Sequence, residues 1–155
     1  MGKEQVRAYL DGIGRADLHI MEFAVSSATV ELAAAAAGVP PGQIAKTLAL
    51  RVKERVVLVV LGGEARLSNS KLKQLLGGKA KMLPAEETFE LTGHAVGGVC
   101  PFGLKTPLPI YLDKSLRAYD IMYPAGGESN SAVPIAVAEL AAVTGGVWVD
   151  ISEDR

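Results

Sequence analysis

Apolar residues in this chain come in short runs, each closed by glycine, proline or a charged pair. Residues 3–11 predict a helix, and Leu18-His19-Ile20-Met21-Glu22-Phe23 has the character of a strand. Residues 29–37, alanine-rich and stopped by Gly38, predict a second helix with Ser26 or Ser27 as its cap. After the Pro40-Pro41-Gly42 turn, apolar runs at 44–52 and 55–61 meet across Lys53-Glu54, the pattern of a β-hairpin. Residues 68–76 predict a short helix capped by Ser68 or Asn69. Pro84, followed by two glutamates, opens another over 84–91.

Residues 93–109 carry four glycines and three prolines and form the least regular stretch. Strands are expected at 110–113, 118–123 and 131–135, a helix at 137–143 ending at Gly145-Gly146, and a last strand at 147–151. This order predicts an α/β chain of the α+β kind, a mixed, largely antiparallel sheet with helices packed around it. Strict strand–helix–strand alternation is missing, which argues against a doubly wound parallel fold. No repeat, low-complexity tract or linker divides the chain, so residues 1–155 are expected to form one domain.

Composition narrows the chemistry. Hydrophobic residues make up 49% and charged residues 21%, which excludes global disorder, while 5% aromatics leave the core to Ala, Val, Leu and Ile. The net charge of −1 removes the broad basic field of a nonspecific nucleic-acid binder, so any RNA contact must come from a local patch, and DNA is not an expected partner. Cys100 is the single cysteine, which precludes an intrachain disulfide and leaves too few soft ligands for structural zinc. No metal and no cofactor are expected. The N-terminal residues lack the apolar stretch of a signal peptide, and Val56–Leu61 is far too short to span a bilayer. A cytoplasmic protein without a membrane partner is the expectation.

Three segments look unlike ordinary packing. In Gln43-Ile44-Ala45-Lys46-Thr47-Leu48, Lys46 interrupts an apolar strand just after a tight turn, where its ammonium can pin a phosphate or simply face solvent from an edge strand. In Gly93-His94-Ala95-Val96-Gly97-Gly98-Val99-Cys100-Pro101-Phe102-Gly103, Gly97 and Gly98 let backbone approach a ligand and Pro101 stiffens the turn. Successive amides there can cradle an oxyanion, or the segment is a plain surface loop. Gly126-Gly127-Glu128-Ser129-Asn130-Ser131 offers small polar side chains for a pocket wall, or a hairpin turn capped by Asn and Ser.

Taken together, these segments resemble the YbaK family of aminoacyl-tRNA deacylases, relatives of the editing domain inserted in bacterial prolyl-tRNA synthetase. The matching pieces are Ser26-Ser27 before the first core helix, the Ile44-Ala45-Lys46-Thr47-Leu48 strand, and Gly97-Gly98-Val99-Cys100-Pro101, which fits that family's GxxxP loop. The 126–131 segment and a closing Gly-Val-Trp-Val-Asp strand follow in the expected order. The resemblance implies the YbaK-like editing-domain fold and hydrolysis of an aminoacyl ester at the 3′ acceptor end of tRNA, without a protein nucleophile. It implies that Lys46 holds the terminal phosphate–sugar region, and that the loop from Gly97 to Pro101, through the amides of Gly98, Val99 and Cys100, polarises the carbonyl. Ser26, Ser27, Thr47, His94, Phe102, Ser129, Asn130 and Ser131 are the residues expected to line the substrate.

The family pocket takes small residues such as alanine, cysteine, serine, threonine or 2-aminobutyrate. Transfer RNA for proline is the expected carrier, prolyl-tRNA synthetase a further expected partner, and action in trans follows from the lack of synthetase modules. Lys71, Lys73 and Lys79, with Arg66 and Lys81, are candidates for acceptor-stem phosphates, or a solvated helix face. Cys100, six positions after His94, opens a competing Cys–His nucleophile. A noncatalytic module binding tRNA or a synthetase is the alternative of a different class.

Overall fold

The computed structural model describes residues 2–154. Helix α1 (Gly2–Gly12) buries Val6 and Leu10, and a two-residue strand β1 (Met21–Glu22) follows. Helix α2 (Val30–Ala37) precedes the hairpin of β2 (Ile44–Val52) and β3 (Arg55–Gly62). Next come α3 (Asn69–Leu76), β4 (Lys81–Met82), α4 (Ala85–Thr92) and β5 (Ile110–Asp113). The chain closes with β6 (Ile121–Pro124), β7 (Ser131–Ala132), β8 (Ile135–Ala136), α5 (Leu140–Thr144) and β9 (Val147–Val149).

Among the described residues the main sheet runs β8-β6-β2-β3-β5-β9, with β4 also joined to β2, while β1 pairs with β7. The sheet is mixed, as the order of elements implied. Its longest ladder, β2 with β3, is antiparallel from Ala45↔Gly62 to Val52↔Arg55, whereas β2–β6, β3–β5 and β5–β9 are parallel. Both faces of the hairpin are covered. Ala45, Ala49, Leu58 and Val60 face a core with Val6, Leu10, Phe102 and Leu112, and Leu50, Val52, Val57, Val59 and Leu61 pack against Leu72 and Leu76 of α3 and Ile151. Burial on both sides is why residues 56–61 are continuously apolar instead of alternating.

Several local expectations shift. The cap of α2 is Thr29, whose Oγ1 accepts the Leu32 amide at 3.1 Å, and neither Ser26 nor Ser27. The strand expected at 131–135 is split because Pro134 lacks the amide a continuous ladder needs. The 118–123 strand starts later, since Lys114–Ala118 forms a 3-10 turn, and the 137–143 helix begins as a 3-10 turn at Val137–Glu139. The 18–23 strand shortens to Met21–Glu22, and β9 stops at Val149. There the Ile151 amide turns to the Asp113 carboxylate instead, at 2.8 Å.

Asp113 is fully buried at the end of β5, and its other oxygen accepts the Ser115 amide at 2.9 Å. Burial pushes this carboxyl upward, but the hydrogen bonds from Ser115 and the Ile151 amide outweigh it and hold the group below the usual range. A depressed folded value means its stabilisation is present above the ordinary carboxylate range and is lost as pH falls through the folded value. Asp113→Asn is expected to cost about 1–3 kcal/mol at neutral pH. In urea titrations the gap between variant and wild type should close below about pH 4.

Candidate active site

The strand pairing leaves one opening. On the side away from β3, β2 meets β6 at Ile44 and Ala45 and β4 at Leu50 and Arg51, and among the described residues no strand faces residues 46–49 between them. A cleft of about 320 Å³ occupies this gap. Its walls come from the start of α2 (Val30, Ala33), β4 and α4 (Met82, Leu83, Ala85, Thr88), the 96–99 loop and the β6–β7 region (Tyr123, Ala125, Ser131, Ala132). Of the residues expected from sequence, Ser27, Lys46, Thr47, Gly97, Val99 and Ser131 are brought together here.

Lys46 is half-buried, and its Nζ donates to the carbonyls of Gly63 (3.3 Å) and Ala65 (2.6 Å). It is therefore not a solvated edge-strand lysine. Among the described residues lining the cleft, Lys46 is the one with a charged side chain, and none is an Asp, Glu, His or Cys. Thr47 lies beside it, with Oγ1 screened from solvent and without a hydrogen-bond partner.

The glycine loop is built for close approach. The Gly98 amide donates to the Ala95 carbonyl at 2.9 Å, closing a turn whose third residue, Gly97, has φ +83°, a conformation that favours glycine. A Cβ on Gly97 would lie 2.8 Å from that of Ala28, and one on Gly98 would lie 2.4 Å from the Glu128 nitrogen. Turn closure uses up the Gly98 amide. Ser27 and Ser131 serve structure as well as lining. Ser27 Oγ donates to the Ser129 carbonyl (3.1 Å), and Ser131 Oγ donates to the Glu128 carbonyl (2.8 Å) while accepting the Gly126 and Glu128 amides.

Other expected residues lie elsewhere. His94, Cys100 and Phe102 are fully buried behind the loop, and Pro101 is buried with them. His94 Nε2 lies 2.8 Å from the Phe102 carbonyl oxygen, a contact in which the ring nitrogen donates, and 3.6 Å from Cys100 Sγ. Burial lowers the His94 pKa and pushes the Cys100 thiol up to about 12. A neutral imidazole already donating to a carbonyl, beside a thiol that stays protonated, does not make the nucleophilic pair. Ser26 is exposed and accepts the Ala28 amide, Ser129 contributes its carbonyl, and Asn130 is exposed, its Nδ2 donating to the Phe23 carbonyl.

Lys71 is held by Asp150 (2.9 Å) and Asp154 (3.2 Å), which also hold Lys114, so its charge is neutralised within the protein. Lys73 and Lys79 are exposed and stand outside the cleft. Among the described residues no group of three or more His, Cys, Asp or Glu is placed to hold a metal ion, and no helix is long and apolar enough to cross a membrane. Sequence reasoning missed Met82, Leu83, Thr88 and Tyr123. Nothing in their local sequence marks them, because it is the docking of β4, α4 and β6 onto β2 that brings them to the gap. If the Cys100 thiol is inert, iodoacetamide at pH 8 should modify the native protein at least about a hundredfold more slowly than the urea-unfolded chain, as expected for a buried, protonated thiol.

The aminoacyl-tRNA editing domain family matches residues 25–143. An uncharacterised protein of Bacillus subtilis, YwhH, is 44% identical over 137 residues, covering 87% of each chain. EbsC of Enterococcus faecalis, described as a candidate Cys-tRNA(Pro)/Cys-tRNA(Cys) deacylase, is 29% identical over 84% of this chain and 82% of its own. A crystal structure described as a candidate trans-editing enzyme for prolyl-tRNA synthetase superposes with a TM-score of 0.91 at 36% identity, covering 98% of this chain and 97% of that one. With the family matched over most of its length and the fold shared end to end, this chain belongs to the YbaK-type aminoacyl-tRNA editing domains.

Proposed function

We propose that the protein is a trans-acting aminoacyl-tRNA deacylase that hydrolyses the ester joining a small, wrongly attached amino acid to the 3′-terminal adenosine of tRNA, with tRNA-Pro as its carrier. The observation that carries this reading is the make-up of the cleft: a lysine and backbone amides, but no carboxylate, imidazole or thiol among the described lining residues. Such a site offers no carboxylate or imidazole as general base and no thiol nucleophile, and the hydroxyls of Ser27, Thr88 and Ser131 are engaged with main-chain carbonyls. It suits a substrate that is already activated, and an aminoacyl ester is one. Orientation and stabilisation of developing negative charge then supply most of the rate.

In this reading the ammonium of Lys46, set by the Gly63 and Ala65 carbonyls, anchors the terminal phosphate–sugar region. The amide of Val99, the loop residue after Gly98 that lines the cleft, polarises the ester carbonyl, since that of Gly98 is spent on Ala95 and Cys100 is buried behind the loop. Water attacks, helped by the neighbouring ribose hydroxyl. The 320 Å³ volume, small for a ligand pocket, limits the amino acid to a short side chain. Lys73 and Lys79 are available to acceptor-stem phosphates, and Lys71 is not, given its carboxylate partners. The whole chain serves as one editing module, acting in the cytoplasm where tRNA-Pro is charged by prolyl-tRNA synthetase.

The test is deacylation of tRNA-Pro charged with Ala, Cys, Ser, Thr or Pro. Wild type should hydrolyse one or two of the mischarged species and spare Pro-tRNA. Lys46→Ala should slow that hydrolysis by about ten- to a hundredfold, the range for losing a charged hydrogen-bond donor. No hydrolysis of any species, with tRNA still bound, would make the protein a noncatalytic tRNA-binding module instead.

A further inference from the structure

The edge of β2 exposed in the cleft has a defined polarity. The Ala49 carbonyl accepts the Leu83 amide from the β4 side, and Leu58, the register partner of Ala49, donates its amide to Pro109 on the far side of β3. Ala49 and Leu58 therefore turn their main-chain groups away from each other. Two residues earlier the same holds for Thr47 and Val60, because main-chain direction alternates along a strand. The amide and carbonyl of Thr47 thus point side by side into the gap between β4 and β6. Its hydroxyl is also without a partner, whereas the other Ser and Thr hydroxyls lining the cleft are engaged. Ser27 donates to Ser129, Thr29 caps Leu32, Thr88 donates to Pro84, and Ser131 donates to Glu128.

We propose that Thr47 seats the aminoacyl group as a one-residue strand, its carbonyl accepting the substrate's α-amino group and its amide donating to the ester carbonyl. An α-amino acid ester carries a nitrogen donor and a carbonyl acceptor on one side of a single α-carbon. That is the complement an antiparallel partner residue presents when two residues exchange both N–H···O bonds. The Thr47 hydroxyl, turned toward the cleft by rotation between staggered χ1 wells, is the second acceptor for the amino group. This assigns to β2 the selection of α-amino acyl groups over other acyl groups, and leaves side-chain size to the cleft walls. The assignment rests on the deacylase reading above.

The test is a double-mutant cycle between residue 47 and the substrate amino group. Wild type, Thr47→Val and Thr47→Ser are compared on alanyl- and propionyl-tRNA-Pro, and on seryl- and 3-hydroxypropionyl-tRNA-Pro, each rate corrected for spontaneous hydrolysis. Thr47→Val should lower kcat/KM by about tenfold on the aminoacyl ester and less than about twofold on its desamino analogue, the size of one lost hydrogen bond. Thr47→Ser should retain the wild-type preference. Because Thr47→Val removes a buried hydroxyl that lacks a partner, its thermal midpoint should equal or exceed that of wild type. Equal losses on both members of a pair, or a Thr47→Ser protein without the preference, would overturn the seat and leave the deacylase reading standing. A wild type inactive on every ester, mischarged or desamino, would overturn both.

Discussion

The architecture depends on an unevenly paired strand. β2 is bonded to β3 along its whole length, yet on its other edge it touches β6 only at its start and β4 only near its end. The ladder with β3 runs unbroken from Ala45 to Val52. The broken one leaves the main-chain groups of Thr47 facing a cleft of about 320 Å³, wide enough for a small ligand. An exposed strand edge is ordinarily a liability that invites pairing with another chain. Here α2, α4 and the glycine loop wall it in, so that a small molecule fits where a strand does not.

The glycine loop is shaped from both sides. In front, the Ala95–Gly98 turn presses Gly97 and Gly98 against Ala28 and the 127–128 backbone, at distances that side chains would not allow. Behind it, Phe102, Cys100 and His94 fill the core, with His94 hydrogen-bonded to the Phe102 carbonyl. Cysteine and histidine act there as packing, kept neutral by burial. The loop is thereby fixed as a surface of backbone, and the cleft is left with backbone polarity as its main chemical resource.

Among the described residues lining the cleft, Lys46 carries the one charged side chain. Lys71 and Lys114 are spent on Asp150 and Asp154, tying α3 to the C-terminal segment, while Arg51 pairs with Glu87 to brace β2 against α4. Exposed pairs of this kind contribute little stability individually. Their consequence is electrostatic, because neutralised neighbours leave Lys46 as the cation nearest to the space a phosphate-bearing substrate would enter.

The hairpin, the helix ended by Gly38, the Ser68 cap and the mixed sheet were legible from sequence, because each depends on local periodicity, capping or turn chemistry within a few residues. Lys46 and Gly97, both on the cleft wall, stood out for a related reason, since a cation in an apolar strand and paired glycines before a proline break local rules. What sequence could not specify was direction and company. Thr29 replaced Ser26 and Ser27 as a cap, Pro134 split a strand, and Lys71 found carboxylates 79 and 83 residues away. Tertiary packing alone decided that His94 and Cys100 face inward, that the Gly98 amide closes a turn, and that β4 and β6 stop short of each other along β2. The reason is that burial and strand pairing are set by contacts between segments distant in the chain, which no local pattern encodes.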